Sequence, residues 1–426
     1  MLNNPHGVDP RAGFAYNLGG SHSVVIRGGF GLFHGMIPSP LLMCQEPSCG
    51  GTAAYGKFRP GEDNLNSNSQ LFGYAGFFPA AFQNAFNNLI NLGQYPDPNN
   101  PATLGVLKPA TIVRFTQDHK LPYGIQSSLG VEFQPYKDAV LNISYLRTHG
   151  VHLGSFFNIN QPSPSGSVLV HDSKGDVGSK NTFFCPVSVC GAPGVPGAAN
   201  PAYFTFFEAD SRWWSEFDGL LVTLNKRVSH HLGYGISYTW SKTLDNGPNP
   251  SFVLIPQDSG SFGSEKAVSS DDVRHRFVGN MTLAGPTHLN AVLNDFEFST
   301  IVTLESPHYF TKFVGFDANG DGFPLNDRVG LEPRNTFRGD SYQTVDLRLS
   351  RTFKVAEQVH LQGMAEAFNA LNNVNIRYFN TVYGAPDFIP AGTPGTFFEG
   401  SPNPGFGTPR AVFNPRQIQL ALRVTF

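Results

Sequence analysis

The residue pattern with the clearest chemistry is the run DANGDG, which begins at Asp317 and places oxygen-bearing side chains at alternate positions around a glycine. This D-x-N-x-D-G spacing is typical of a calcium-binding loop. Such a loop ends on a bidentate Glu, where this sequence has Arg328 preceded by Asp327. Two interpretations are open, a Ca²⁺ site or an Asx- and Gly-rich turn in an exposed loop. The predicted calcium ligands are Asp317, Asn319, Asp321 and Asp327.

The four cysteines form two local pairs, Cys44 with Cys49 and Cys185 with Cys190. Each pair lies in a long loop and has no histidine near it at metal-ligand spacing, so a zinc site is not expected. Two short disulfides in an oxidising compartment are favoured over free thiols.

No group of residues predicts an enzyme. His275 lies between two arginines with no Ser or Cys motif to serve, and neither G-x-S-x-G nor H-E-x-x-H occurs. The net charge of −3 excludes the strongly basic balance of a nucleic-acid-binding protein, so no nucleic-acid partner is expected. Only 14% of the residues are charged and 46 are glycine, which favours a β-rich chain with long loops.

The stretch from Leu220 to Ser241 shows how the chain is built. Leu220, Val222 and Leu224 alternate with other side chains, and after a short turn apolar residues alternate with Gly, Ser and Thr up to Trp240. This period of two predicts a hairpin with one apolar face and one small or polar face.

The same unit recurs along the chain and gives about eleven strands. Every second connection is short and the others are tens of residues long, which is typical of an outer-membrane barrel with periplasmic turns and extracellular loops. No run of 18 apolar residues predicts a membrane-spanning helix. The fold class expected is all-β, an antiparallel up-and-down transmembrane β-barrel. The predicted strands are Pro10–Leu18, Ser23–Phe33, Gly124–Phe133, Ala139–Tyr145, the two of Leu220–Ser241, Arg274–Leu283, Asp295–Leu304, Val345–Phe353, Val359–Glu366 and Gln417–Phe426.

The alternation also predicts which charged side chains line the lumen of the barrel. They could line a substrate path or grip a plug, although a barrel interior is polar in any case. Their mixed signs predict salt-bridge ladders rather than a selective charged ring. The residues are Glu132, Arg227, Asp295, Glu297, Asp346, Arg348, Glu366 and Arg423.

Aromatic residues are predicted at the strand ends nearest the long loops. Tyr238 and Trp240 are interpreted as part of an aromatic girdle at the membrane interface. Tyr145 lies in the same zone, while the role of Trp213 and Trp214 is left open between girdle and ligand contact.

The last strand ends on Phe426, at the tip of a segment in which apolar residues alternate with Gln, Ala, Arg and Thr. Any edge strand could end in Phe. In combination with the other hairpins, the pattern is interpreted as the terminal insertion signal that the barrel-assembly machinery recognises.

Several segments resemble the barrel of TonB-dependent receptors, in particular Oar-like receptors with a carboxypeptidase-regulatory-like N-terminal domain. They span the chain: PRAGFAYN, VVIRGGFGLF, LGVEFQP, LNISYLRTHGVHL, NINQP, YTWSKTLDN, DVRHRFVGN, FDANGDG, NDR, NTFRGDSYQTVDLRLSRTF, AEAFNALN and RQIQLALRVTF. The resemblance implies a transporter in the outer membrane of a Gram-negative bacterium, with a plug inside the barrel and TonB as its partner. Barrels of this class have 22 strands. Residues 1–426 would then be one domain, the C-terminal half of the barrel without plug or N-terminal domain.

Met1–Pro5 has no basic start and no apolar core, so no signal peptide is recognised there and the chain is expected to begin inside a longer polypeptide. Closure of the eleven strands alone is the other possibility, but an odd strand number disfavours it. The function expected is uptake of a bulky nutrient (a glycan, a peptide or a metal chelate) that the extracellular loops capture. The alternatives are a non-transporting adhesin and a soluble all-β glycan-binding or hydrolytic domain that uses Asp346 and Glu366.

Overall fold

A computed structural model describes most of the predicted strands and part of the long connections. The described residues are 8–19, 24–35, 112–116, 120–159, 161, 164, 166–171, 177–183, 206–247, 256–285, 294–315, 318–319, 321, 326–384, 396–398 and 402–426. Across these residues there is no helix with the length and apolar character that a membrane span needs. The chain is nearly all β, and a single 3₁₀ turn lies at Phe262–Glu265.

Twenty strands lie in the described part of the chain. They are β1 (Arg11–Asn17), β2 (Val24–His34), β3 (Ile112–Phe115), β4 (Tyr123–Tyr136), β5 (Ala139–Asn158), β6 (Gly166–His171), β7 (Val177–Thr182), β8 (Phe206–Ser229), β9 (Leu232–Asp245), β10 (Ala267–Val268), β11 (His275–Ala284), β12 (Phe296–Glu305), β13 (Tyr309–Phe310), β14 (Phe337–Arg338), β15 (Tyr342–Lys354), β16 (His360–Phe368), β17 (Ile376–Phe379), β18 (Thr396–Phe398), β19 (Pro409–Val412) and β20 (Gln417–Thr425).

Eleven of these strands form one continuous antiparallel meander, which we call the wall. Its order is β1-β2-β4-β5-β8-β9-β11-β12-β15-β16-β20, as the sequence predicts. The connection from β8 to β9 is the pair His230 and His231, whose φ angles are 50° and 69°. Two positive φ angles in a two-residue loop match the twist of the flanking strands, so this turn closes the hairpin tightly.

The strand register separates the side chains of the wall into two faces. One row of paired residues crosses seven strands: Tyr16, Ile26, Val131, Ile143, Val222, Tyr238 and Phe277. The neighbouring row on the other side holds Glu132, Asn142, Thr223 and Ser237. We call these the apolar face and the polar face. Their separation is what a strand needs when it meets lipid on one side and a polar lumen on the other.

The wall is an open sheet. Within the described residues, β1 pairs only with β2 and β20 pairs only with β16. Leu420 in β20 is 78% exposed. A strand edge leaves backbone N–H and C=O groups unpaired, which costs several kcal/mol per group in lipid. Both edges therefore require partner strands in a membrane.

The extracellular ends of β5 and β8 differ from the prediction. β5 has 20 residues and β8 has 24, so both strands continue well past the membrane into what the sequence predicts as loop. Tyr145, Trp213 and Trp214 consequently lie inside strands and not at strand ends. The register shifts near Gly150 and Leu153 mark β-bulges, which interrupt the period of two that sequence patterns reveal.

Candidate functional site

The polar face gathers most of the charged residues that the sequence assigns to the lumen. Arg348 lies between Ser299 and Glu366 on neighbouring strands. The register places Glu132, Glu297, Asp346 and Arg423 on the same face. That they line a transport lumen stays a prediction.

Two other predicted lumen residues lie at the turns of the wall. Arg227 follows a register shift between Lys226 and Ser229, so the pairing does not fix its face. Its backbone N–H donates to the carbonyl of Asp138. Asp295 has a φ of 62° and lies just before β12.

Ion pairs of opposite sign occur on the polar face. Arg27 Nη1 lies 3.2 Å from Glu132 Oε2, and Arg348 Nε lies 3.7 Å from Glu366 Oε1. Partly exposed pairs of this kind stabilise a fold by about 0–1 kcal/mol each. Their effect here is to balance positive and negative charge along the wall rather than to hold it together.

Above the wall, the described parts of residues 256–274, 306–341 and 369–416 pack on the ends of the long strands; we call them the cap. Phe157, Trp213 and Phe262 form one aromatic cluster, with ring centroids 4.4–5.6 Å apart. A second cluster holds Val314, Val329 and Tyr383. These contacts join the separate connections into a packed structure at the extracellular end.

A buried network of charges lies within the cap. Glu265 is 1% exposed and accepts hydrogen bonds at 2.8 and 2.9 Å from Arg328 Nη1. Arg334 donates to the Glu265 carbonyl and to the side chain of Asp245. Two carboxylates thus balance two guanidinium groups, which offsets the cost of burying them. The network connects the end of β9 to two connections of the cap.

The predicted calcium ligands are largely engaged with protein atoms. Asp327 is 1% exposed, and its Oδ2 accepts the N–H of Ala318 at 2.7 Å. Asn319 Oδ1 accepts the N–H of Asp321 at 2.8 Å, as in an Asx turn. Asp317 lies outside the described residues. Among those described, no three His, Cys, Asp or Glu side chains are grouped to hold a metal ion, and calcium binding stays a prediction.

Other predicted residues occupy the positions that follow. Tyr238 and Trp240 lie on the apolar face, 36% and 53% exposed, and their girdle role remains a prediction. Phe426 is 94% exposed, and its reading as an insertion signal is likewise not tested. Cys44, Cys49, Cys185 and Cys190 lie outside the described residues.

Sequence reasoning missed the charge network of the cap. Glu265 and Arg328 are 63 residues apart in the chain, and neither is part of a spacing that predicts a partner. Arg328 has one signal in retrospect. It stands where a calcium loop would have its bidentate Glu, and it binds a carboxylate from another connection instead.

At the rim of the wall, Asp9 lies just before β1 and accepts hydrogen bonds from the end of β2. Its Oδ1 lies 3.0 Å from the His34 backbone nitrogen and 2.6 Å from His34 Nδ1. Hydrogen bonding from the His34 side chain lowers the pKa of the Asp9 carboxyl below 3.8. The pair fastens the start of the first hairpin.

Comparison with known proteins places this geometry in a family. The family model described as an outer membrane beta barrel domain matches residues 1–329 and 316–419, which together cover most of the chain. No curated protein has a sequence that matches.

Solved structures of similar overall shape include three outer-membrane proteins. The ferric enterobactin receptor of Pseudomonas aeruginosa, in mutant form, is 11% identical over 98% of this chain and 40% of its own, with a TM-score of 0.46. The transporter YddB of Escherichia coli is 10% identical over 94% and 38%, with a TM-score of 0.46. The ferric-catecholate import receptor Fiu of E. coli K12 is 10% identical over 97% and 34%, with a TM-score of 0.42. The chain spans two fifths or less of each.

Proposed function

The chain belongs to the outer membrane β-barrel domain family and lies in the bacterial outer membrane, and from this premise we propose that it is the C-terminal half of the barrel of a TonB-dependent receptor. Its function would be the uptake of a bulky nutrient, such as a glycan, a peptide or a metal chelate. The Oar-like subtype is part of the same proposal and rests on the sequence resemblance.

The observation that carries the proposal is the open eleven-strand wall with one apolar and one polar face. Eleven is half of the 22 strands in barrels of this transporter class. Closing a sheet of that size leaves a lumen wide enough for a plug, whereas small barrels are filled by their own side chains. The two unpaired edges, at β1 and β20, are where the remaining strands would pair.

The proposed mechanism assigns a separate role to each region. The cap captures the ligand, because its packed connections present an ordered surface above the wall. The polar face then forms one side of the path, where the pairs Arg27–Glu132 and Arg348–Glu366 leave no strong field of one sign. Movement of the plug and its coupling to TonB are supplied by the rest of the receptor, as the resemblance implies.

Transport is tested by deleting the gene in its native organism and following three probes: ⁵⁵Fe on a catecholate chelator, a fluorescent oligosaccharide and a fluorescent peptide. We expect the deletion to abolish uptake of at least one probe, and the intact gene to restore it. A protonophore should block the restored uptake, because TonB draws its energy from the inner membrane. Surface binding that disappears with the gene but survives the protonophore would identify an adhesin instead.

A matched pair of variants tests the path itself. Ser237→Trp adds a large side chain to the polar face, whereas Ile236→Trp adds it to the apolar face one residue away. We expect only Ser237→Trp to slow uptake of the transported probe, with both proteins present at equal surface levels. Equal uptake by the two variants would contradict a path along the polar face.

A further inference from the structure

A cleft of about 900 Å³ lies where β5 and β8 extend beyond the membrane, away from the polar face. Two strands, the end of the segment after β3 and the start of β10 surround it. Its lining includes Lys120, His149, Asp210, Trp214, Glu216 and Lys266. A cleft of this volume accommodates a ligand of two or three sugar rings or of comparable size.

The register shows which side of the wall the cleft occupies. His149 pairs with Glu216, and both follow the apolar face at the spacing of Ile143 and Tyr145. His149 is four residues beyond Tyr145, which is roughly 13 Å along a strand. The cleft therefore lies on the outer side of the barrel wall, just above the zone of the aromatic side chains. A group bound there would sit beside the headgroups of the outer leaflet.

The charges of the cleft favour an anion. Asp210 is bound by Arg212 at 2.7 Å, and Glu216 forms an ion pair with Arg147. In the described part of the chain, the ammonium groups of Lys120 and Lys266 have no acidic partner. Both acids are thus neutralised while two cations stay available.

An aromatic wall and a spare polar atom complete the site. Lys266 Nζ lies 5.7 Å from the ring centroid of Trp214. The His149 ring lies 6.3 Å from the Trp214 ring, and its enclosed Nδ1 has no hydrogen-bond partner within the described residues. An indole face packs against the C–H face of a sugar ring, ammonium groups bind phosphate or carboxylate, and a ring nitrogen can bond a hydroxyl.

We propose that this cleft binds an anionic sugar group, carried by a glycolipid of the outer leaflet. The sugar ring stacks on Trp214, its phosphate or carboxylate lies between Lys120 and Lys266, and His149 Nδ1 takes a hydroxyl. The site anchors the receptor to its surrounding lipid and is separate from the proposed transport path, so it stands whether or not the protein transports.

The experiment titrates the full receptor in detergent micelles with lipid A, a phosphorylated disaccharide lipid, and measures bound lipid by native mass spectrometry. Lys120→Gln with Lys266→Gln should weaken binding at least tenfold. The matched control is Lys242→Gln, which removes an exposed charge from the same outer side outside the cleft. It should change binding less than twofold. Equal losses in the two proteins, or none in either, would overturn the site.

Two further arms separate aromatic stacking and ligand source. Trp214→Phe should keep most of the binding that Trp214→Ala loses, with the heat-modifiability of both variants showing intact barrels. Equal binding by both would overturn the stacking contact. Glucose 1-phosphate supplies the same chemistry without a lipid and should compete at least tenfold less well than lipid A. Competition as strong as that of lipid A would overturn the lipid source in favour of a soluble sugar phosphate.

Discussion

In the wall, apolar side chains such as Ile143 remain 43% exposed, and neighbouring strands are joined mainly through backbone hydrogen bonds. In the cap, Phe157 and Trp213 are 2% exposed and Glu265 is 1% exposed. The part of the molecule that resembles a soluble protein interior thus lies outside the membrane. The wall depends on lipid for its apolar face, and the cap depends on specific tertiary contacts. The two regions should therefore respond to different substitutions.

The largest effect is expected from Glu265→Ala. It leaves Arg328 and Arg334 buried without their carboxylate, which typically costs about 3–5 kcal/mol. Hydrogen exchange in residues 256–274 and 326–341 should accelerate roughly 100-fold or more, while exchange in the wall stays unchanged. Exchange measured by mass spectrometry on the full receptor reports both regions at once.

The matched control for that substitution is Glu305→Ala. Its pair with Arg276 is 2.7 Å long but lies at an exposed rim, so the expected loss is below about 1 kcal/mol. If both variants loosened the wall as much as the cap, the two regions would not be separate units of stability.

The reverse experiment places a charge in the wall. Val222→Arg puts a guanidinium group on the apolar face, where an Arg costs about 2–4 kcal/mol near the bilayer midplane. Thr223→Arg makes the same change on the polar face and should cost much less. Refolding into lipid vesicles, followed by heat-modifiability on gels, compares the two. A larger loss for Thr223→Arg would mean that the two faces are assigned the wrong way round.

A smaller effect within the cap is expected from Gly315→Ala. Gly315 has a φ of +92°, and an added Cβ would lie 2.6 Å from Val382 Cγ1. Strain of this kind costs on the order of 1–3 kcal/mol. Exchange of the amides around Val382 should accelerate. A second substitution, Val382→Ala, should relieve the clash but not the backbone strain, so full recovery would contradict the argument from φ.

The smallest effect is a pH dependence at the rim of the wall. Because the folded pKa of Asp9 is lowered below 3.8, the stabilisation by its ionised carboxylate is present above pH 3.8 and is lost as the pH falls through the lowered value. The His34 amide should then exchange faster relative to Asp9→Asn measured at the same pH. An unchanged ratio down to pH 2 would show that the hydrogen bond does not depend on ionisation.

The wall could be predicted from the sequence because its rule is local. Alternation at Ile418, Leu420 and Leu422, or at Tyr234, Ile236 and Tyr238, reveals a strand wherever one side meets lipid. The rule fails beyond Arg147 and before Ser215. There both sides of the strand contact protein or water, and β-bulges shift the period. The eleven strands were therefore found, while the full length of β5 and β8 was not.

The cap could not be predicted in the same way, because its contacts join positions far apart in the chain. Asp245 binds Arg334 across 89 residues, and Phe157 meets Phe262 through packing that has no sequence period. Pattern reasoning could name Asn319, Asp321 and Asp327 as an oxygen-rich run. Only the structure shows those groups bonded to neighbouring backbone and side chains.

The length of β8 has a consequence at the cell surface. At about 3.4 Å per residue its 24 residues measure roughly 80 Å, whereas a strand crosses the bilayer in about 9–11 residues. More than half of this strand therefore projects from the cell, stiffened by β5 beside it. Antibodies, phage tail fibres and neighbouring cells would meet that raised ridge before they reach the membrane.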